Sequence, residues 1–147
     1  MPKSSPTDSL VIDSLFISGG KVGLLVVNGA TNLTADSITI VNPVAFGVRV
    51  VGVSTDDLNF YLQNSDISGV GNALTNYSGV TSENFVVGGV VTVRIDSCVV
   101  SDNSNRGLTF RGNDISGSVL GTVNNSTIEG NAFNRSEVGN GYGIIVN

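Results

Sequence analysis

Residues Val93 to Asn113, VRIDSCVVSDNSNRGLTFRGN, contain in order the parts that recur along the rest of the 147-residue chain. Val93 and Ile95 alternate with polar neighbours, the pattern of a strand with one buried face. Asp96 and Ser97 then make a polar bend, Val100 resumes the inward face, a polar corner follows, and Gly107 opens a strand through Phe110. Three short strands separated by three corners predict one circuit of a solenoid.

Outward from this stretch the same bend returns as IDSLFI from Ile12, ADSITI from Ala35, LQNSDI from Leu62 and VNNSTI from Val123. The glycine-led strand returns as GLLVV from Gly23, GVRVV from Gly47 and GIIVN from Gly143, with a degraded version near Ala73. Taking Ile12, Ala35, Leu62, Ile95 and Val123 as markers, the spacings are 23, 27, 33 and 28 residues, an interval that marks a repeat architecture. The inward stack predicted by the alignment is Ile17, Ile40, Ile67, Val100 and Ile128. The third circuit is expected to close near Ala73 to Asn76, with Asn76 to Gly89 projecting as an excursion. A polar insertion is expected from Glu129 to Tyr142. Neither hexapeptide regularity nor glycine-aspartate nonapeptides are present, and a β-sandwich would not explain a recurring bend.

Composition agrees. Twenty-three valines and 17 asparagines suit half-buried strands joined by tight polar corners. Charged residues make up only 13% and the net charge is −5, so there is no basic excess to hold nucleic acid. A lone cysteine cannot form an internal disulfide, and without histidine no Ser-His-Asp set, histidine switch or zinc site is available. Cys98 reads as a small buried hydrophobe. No apolar run reaches membrane-spanning length, and Met1 to Thr7, MPKSSPT, has no signal-peptide core and reads as linker before a single domain over residues 8–147.

With its N/D-S-x-I bends and G-I-x-V strands, the chain from about residue 8 resembles the right-handed parallel β-helix of the pectin-lyase-like superfamily. The resemblance implies an all-β solenoid of about five coils, and a groove for acidic polysaccharide on the face of the glycine-led strands. Arg49 and Arg111 fall on that face, with Lys21 and Arg106 at the strand entrances, as candidate sugar-acid ligands or ordinary surface cations. Asp56-Asp57 is similar to the adjacent aspartates of β-helical polygalacturonases, but that family's Gly-His-Gly and Arg-x-Lys motifs are missing, and a solvated loop is the plainer reading. Asp13 and Asp36 share a column on neighbouring circuits. They would either hold calcium between them or reach solvent and backbone N–H groups at the bend. No other cofactor is implied. The sequons at Asn32, Asn76, Asn124, Asn125 and Asn134 carry little weight in so asparagine-rich a chain.

The functional expectation is a structural or carbohydrate-binding segment of an extracellular protein. Its rival is a fragment of a polysaccharide lyase or glycoside hydrolase acting on acidic polysaccharide. Apolar strands at both ends of the stack also predict end-to-end self-association.

Overall fold

The computed structural model describes residues 8–27, 31–71, 77–112, 117–131 and 142–146. Its strands come in successive triplets. The first triplet is β1 (Asp8–Asp13), β2 (Phe16–Ser18) and β3 (Val22–Val27); the second is β4 (Thr31–Asp36), β5 (Thr39–Val41) and β6 (Phe46–Gly52). The third is β7 (Leu58–Gln63), β8 (Asp66–Ser68) and β9 (Ser78–Asn84). Then come β10 (Val90–Asp96), β11 (Val99–Ser101) and β12 (Arg106–Arg111), and last β13 (Ser118–Asn124), β14 (Thr127–Glu129) and β15 (Tyr142–Val146). One strand of each triplet joins each of three 5-stranded parallel sheets, ordered β1-β4-β7-β10-β13, β14-β11-β8-β5-β2 and β15-β12-β9-β6-β3. This all-β stack is consistent with a β-helix-like solenoid. No helix among the described residues is long and apolar enough to cross a membrane.

Two columns of left-handed residues make the turns. Ser14, Ser37, Asn64, Ser97 and Asn125 have φ of 54, 53, 49, 54 and 47°. Five residues on in each triplet, Gly19, Asn42, Gly69, Asp102 and Gly130 have φ of 73, 55, 68, 53 and 61°. Only glycine and short polar side chains visit this region at low cost, which is why Ser, Asn, Asp and Gly monopolise both columns. The bent residues keep the ladder intact: Ser37 N donates to Gln63 O at 3.2 Å, and Asn42 N to Ser68 O at 3.0 Å. A Cβ on Gly69 would strike Asn42 Oδ1, and one on Gly130 would strike Asp102 Oδ1. The second column therefore sets a polar side chain over a glycine twice.

Side-chain bonding at the first bend runs diagonally as well as straight across, as from Gln63 Nε2 to its register partner Asp36. Asn64 Nδ2 donates to Asp36 Oδ1 at 2.9 Å and Asn125 Nδ2 to Asp96 Oδ1 at 3.0 Å, each reaching the residue before the bend in the preceding triplet.

Inward columns form the core. Ile17, Ile40, Ile67, Val100 and Ile128 lie in one register through β2, β5, β8, β11 and β14. The middle three are fully buried and the outer two partly so. Leu33, Phe60 and Val93 make a second buried column, and Val48, Val80 and Leu108 a third. The leading glycines of the third sheet have a packing reason. A Cβ on Gly79 would lie 2.5 Å from Val100 Cγ1 and 2.8 Å from Gly107 O, and Gly23 and Gly47 are crowded likewise by Ile40 and Ile67.

Three expectations need correction. The third triplet closes through Ser78–Asn84, inside the stretch expected to project, because Gly79 continues the glycine column and Val80 fills the space between Val48 and Leu108. Residues 73–76 lie outside the described residues. The projecting part shrinks to a corner after Asn84, which Asn84 itself clamps: its Nδ2 donates to Gly89 O (2.8 Å) and Ser118 O (3.0 Å), while its Oδ1 accepts from Val86 N (3.1 Å). Second, alternation along the strand from Gly107 to Phe110 predicts Thr109 on an open outer face, but it is only 4% exposed, with its hydroxyl 2.9 Å from Ser78 Oγ. Third, Glu129 and Tyr142, taken as the limits of an insertion, are strand residues of β14 and β15; 132–141 lie outside the described residues.

Candidate functional site

The outer face of the third sheet carries the candidate site. Strand alternation points Arg49, Thr81 and Thr109 outward in one register, beside a second column of Val51, Glu83 and Arg111. At the strand entrances Phe46 and Arg106 flank Ser78 in register, with Tyr77 just before it. Together Phe46, Tyr77, Thr81, Glu83, Arg106, Thr109 and Arg111 line a groove of about 250 Å³ along the stack. Its floor is the two threonines; one wall is aromatic and basic, the other is Glu83 and Arg111.

Each wall is held in place. The Phe46 and Tyr77 rings meet edge to face, with centroids 5.3 Å apart and planes at 69°. The Arg49 guanidinium sits 5.0 Å from the Phe46 centroid and donates through Nε (3.0 Å) and Nη2 (2.7 Å) to Glu83 Oε2. With side chains 33% and 13% exposed, this pair is partly shielded from water, and each charge is largely spent on the other. Arg106 is half-buried and donates its backbone N–H to Tyr77 O at 3.3 Å. Arg111 is exposed and makes no ion pair with the described residues.

The floor has an open valence. Thr81 is 3% exposed, yet its Oγ1 has no hydrogen-bond partner among the described residues, whereas the Thr109 hydroxyl is engaged with Ser78. A buried hydroxyl left unpaired costs about 1–3 kcal/mol, so a ligand hydroxyl in the groove would recover that loss.

Of the residues singled out from sequence, Arg106 and Arg111 line this groove and Arg49 braces it through Glu83. Lys21 is exposed at the entrance of β3 and does not line it. Thr81, Glu83, Tyr77 and Phe46 were missed. Three of them fall in the stretch read as an excursion, and the available signal was Gly79, which sits between Gly47 and Gly107 at the repeat interval.

The remaining candidates have structural employment. Asp13 and Asp36 are cross-strand neighbours, but Asp36 already accepts from Gln63 Nε2 (3.0 Å), Asn64 Nδ2 (2.9 Å) and Ser37 Oγ (3.3 Å). Hydrogen bonds from Asn64 first, then Gln63, hold its carboxyl below the ordinary range. Asp13 Oδ1 accepts from Ser14 Oγ at 2.9 Å. No group of three or more Asp, Glu, Cys or His side chains suited to a metal occurs among the described residues. Asp56 is tied to Ser54, and Asp57 Oδ1 accepts from Val90 N at 3.0 Å, pinning the start of β10. Cys98 is buried, and desolvation raises its thiol pKa, which disfavours the reactive thiolate.

No family model, curated protein or solved structure matches the chain. What the groove offers a ligand is an aromatic pair against which an apolar sugar face can lie, a buried hydroxyl unpaired among the described residues, and an exposed guanidinium suited to a carboxylate.

Proposed function

We propose that this chain is a right-handed parallel β-helix of about five coils, of the pectin-lyase-like kind, serving as a carbohydrate-binding structural segment of an extracellular protein. The saccharide lies in the groove on the outer face of the third sheet. The observation that carries the reading is the unpartnered Thr81 hydroxyl, almost wholly buried in a groove that also presents Tyr77 and Arg111. Its sugar contact is a hydroxyl at Thr81, a ring face on the aromatic wall and an anion at Arg111.

The rival reading, a fragment of a polysaccharide lyase or glycoside hydrolase, has less support. Glycoside hydrolysis needs two positioned carboxylates, whereas among the described residues the one carboxylate lining this groove, Glu83, is spent on Arg49. A glycan array with the intact chain is the test, followed by calorimetry on Thr81→Val and Arg111→Ala, with Lys21→Ala as the control outside the groove. Binding of carboxylated oligosaccharides, weakened by the first two changes and by salt but not by the third, is the expected result. An array without saccharide binding, or equal affinity in all variants, would remove the groove from consideration. Release of unsaturated uronate products would turn the reading toward the lyase.

A further inference from the structure

The groove is closed at its β6 end. Apart from Phe46 and Tyr77 its lining residues belong to β9 and β12, and among the described residues none lies on β3. The floor column runs Leu25, Arg49, Thr81, Thr109 in register, so Arg49 stands on the floor line one strand before Thr81. From there it reaches both walls: its guanidinium lies 5.0 Å from the Phe46 ring centroid and donates through Nε and Nη2 to Glu83 Oε2. Phe46, Arg49 and Glu83 thus form a bridge across the groove whose two charges compensate each other. Past the bridge, the outer face of β3 presents exposed Leu25 and Val27, which have no hydrogen-bonding group for a sugar hydroxyl. The volume is small as well, about 250 Å³ against the roughly 300–1,000 Å³ of sites that enclose a drug-sized ligand, which is room for a chain end rather than a run of sugars.

We propose that this groove recognises the end of a saccharide chain, its terminal carboxylated sugar, and that Arg49 is the positioning residue that closes it. This rests on the saccharide-binding reading above. The terminal sugar lies over Thr81, with its ring against the aromatic wall and its carboxylate at Arg111, and the rest of the chain leaves on the side away from β6. A sugar inside a chain would have to continue through the bridge. Opening the bridge strands the Glu83 carboxylate, only 13% exposed, without the two N–H donors that now satisfy it, and what lies beyond is aliphatic surface. Internal sugars are therefore excluded by shape and by the loss of that pair, with Arg49 acting through Phe46 and Glu83.

The test is titration calorimetry at low salt with two length series, oligogalacturonates and hyaluronan oligosaccharides, each as a tetramer and a dodecamer. In the series that binds, the parent should load one protein per chain, with Kd per mole of chain equal within about twofold at the two lengths, since both lengths present the same end. Arg49→Ala should let the dodecamer take up more than one protein and bind more tightly per mole of chain than the tetramer, because every sugar along it becomes a site. A merely structural role for Arg49 would not create that dependence on length. Should Arg49→Ala fail to fold by circular dichroism, the length comparison on the parent still decides. A dodecamer that loads several parent molecules, or a folded Arg49→Ala variant still held to one protein per chain, overturns this assignment and leaves the groove standing. A parent that binds no member of either series sinks the groove and this inference with it.

Discussion

Replacing Gly79 by alanine tests why the third-sheet strands open on glycine. Two effects oppose each other. Alanine restricts the unfolded chain, which by itself stabilises a protein by about 0.4–1 kcal/mol where the native backbone accepts it. Gly79 is not at positive φ, so backbone strain does not enter. Against that gain, the added methyl would stand 2.5 Å from Val100 Cγ1, 2.7 Å from Asn103 Nδ2 and 2.8 Å from the backbone oxygen of Gly107. Overpacking of this kind costs about 1–3 kcal/mol, and the upper part of that range applies because a carbonyl in a ladder cannot swing aside. The net expectation is a loss of about 1–2.5 kcal/mol. Val100→Ala alone removes two fully buried methyl groups and should cost about 1.5–3 kcal/mol. Made together, the changes let the new methyl occupy part of the space Val100 vacates, so the double variant should be more stable than the sum by about 0.5–1 kcal/mol. Urea unfolding of the four proteins, compared at constant m-value, gives the cycle. A Gly79→Ala variant as stable as the parent, or strict additivity, would refute the close-approach explanation of the glycine column.

Removing the Ser82 hydroxyl should be neutral or stabilising by up to about 1 kcal/mol in denaturant unfolding, since among the described residues its Oγ has no partner and it is buried in an inward column between Val50 and Phe110. By contrast Thr109→Ala should cost about 1 kcal/mol by stranding Ser78 Oγ, and Thr109→Ser should restore most of it. Asp36, whose folded-state pKa lies below that of an ordinary aspartate, contributes stability that is present above the unfolded-chain pKa and lost as pH falls through the folded one. Asp36→Asn should therefore flatten the acid limb of the stability profile below about pH 4, read from denaturation midpoints against pH; an unchanged limb would show that its hydrogen bonds persist on protonation. Cys98 should react with a thiol reagent at a rate that follows unfolding, slow in the native chain and fast in denaturant. Light scattering over a concentration series tests end-to-end association of the stack, for which a constant monomer mass is the refuting result.

Much of the architecture was legible because each circuit repeats a fixed chemical requirement. The column Ile17–Ile40–Ile67–Val100–Ile128 could be read from five aligned bends, and the register places those residues together. What escaped was the strand Ser78–Asn84, where inward Ser82 and outward Glu83 interrupt the apolar pattern of its neighbours. Periodicity reports burial, and a strand that spends two positions on a hydroxyl and an ion pair gives a weak periodic signal. The groove was hidden for the same reason. Its arginines were visible as charges, but the Arg49–Glu83 pair joins residues 34 apart and became readable only once the register was known. The second left-handed column was in plain view, five residues after the first, yet Gly, Asn and Asp in alternation do not look alike until their shared backbone conformation is seen.

The two left-handed columns also bear on how such a chain can grow. The run between them has one length in every triplet, from Ser14 to Gly19, Ser37 to Asn42, Asn64 to Gly69, Ser97 to Asp102 and Asn125 to Gly130, whereas the distance from one triplet to the next ranges from 23 to 33 residues. Length variation is thus confined to the other corners, and the fixed run serves as a joint of standard size. A duplication whose breakpoints fall at equivalent positions of two such joints would add one whole triplet without shifting any inward column. Repeating residues Ser37 to Gln63 just before Asn64 should accordingly yield a longer chain with cooperative unfolding and a larger m-value. Moving one breakpoint by a single residue should yield a chain that fails to fold, since every later side chain of that strand would turn to the opposite face.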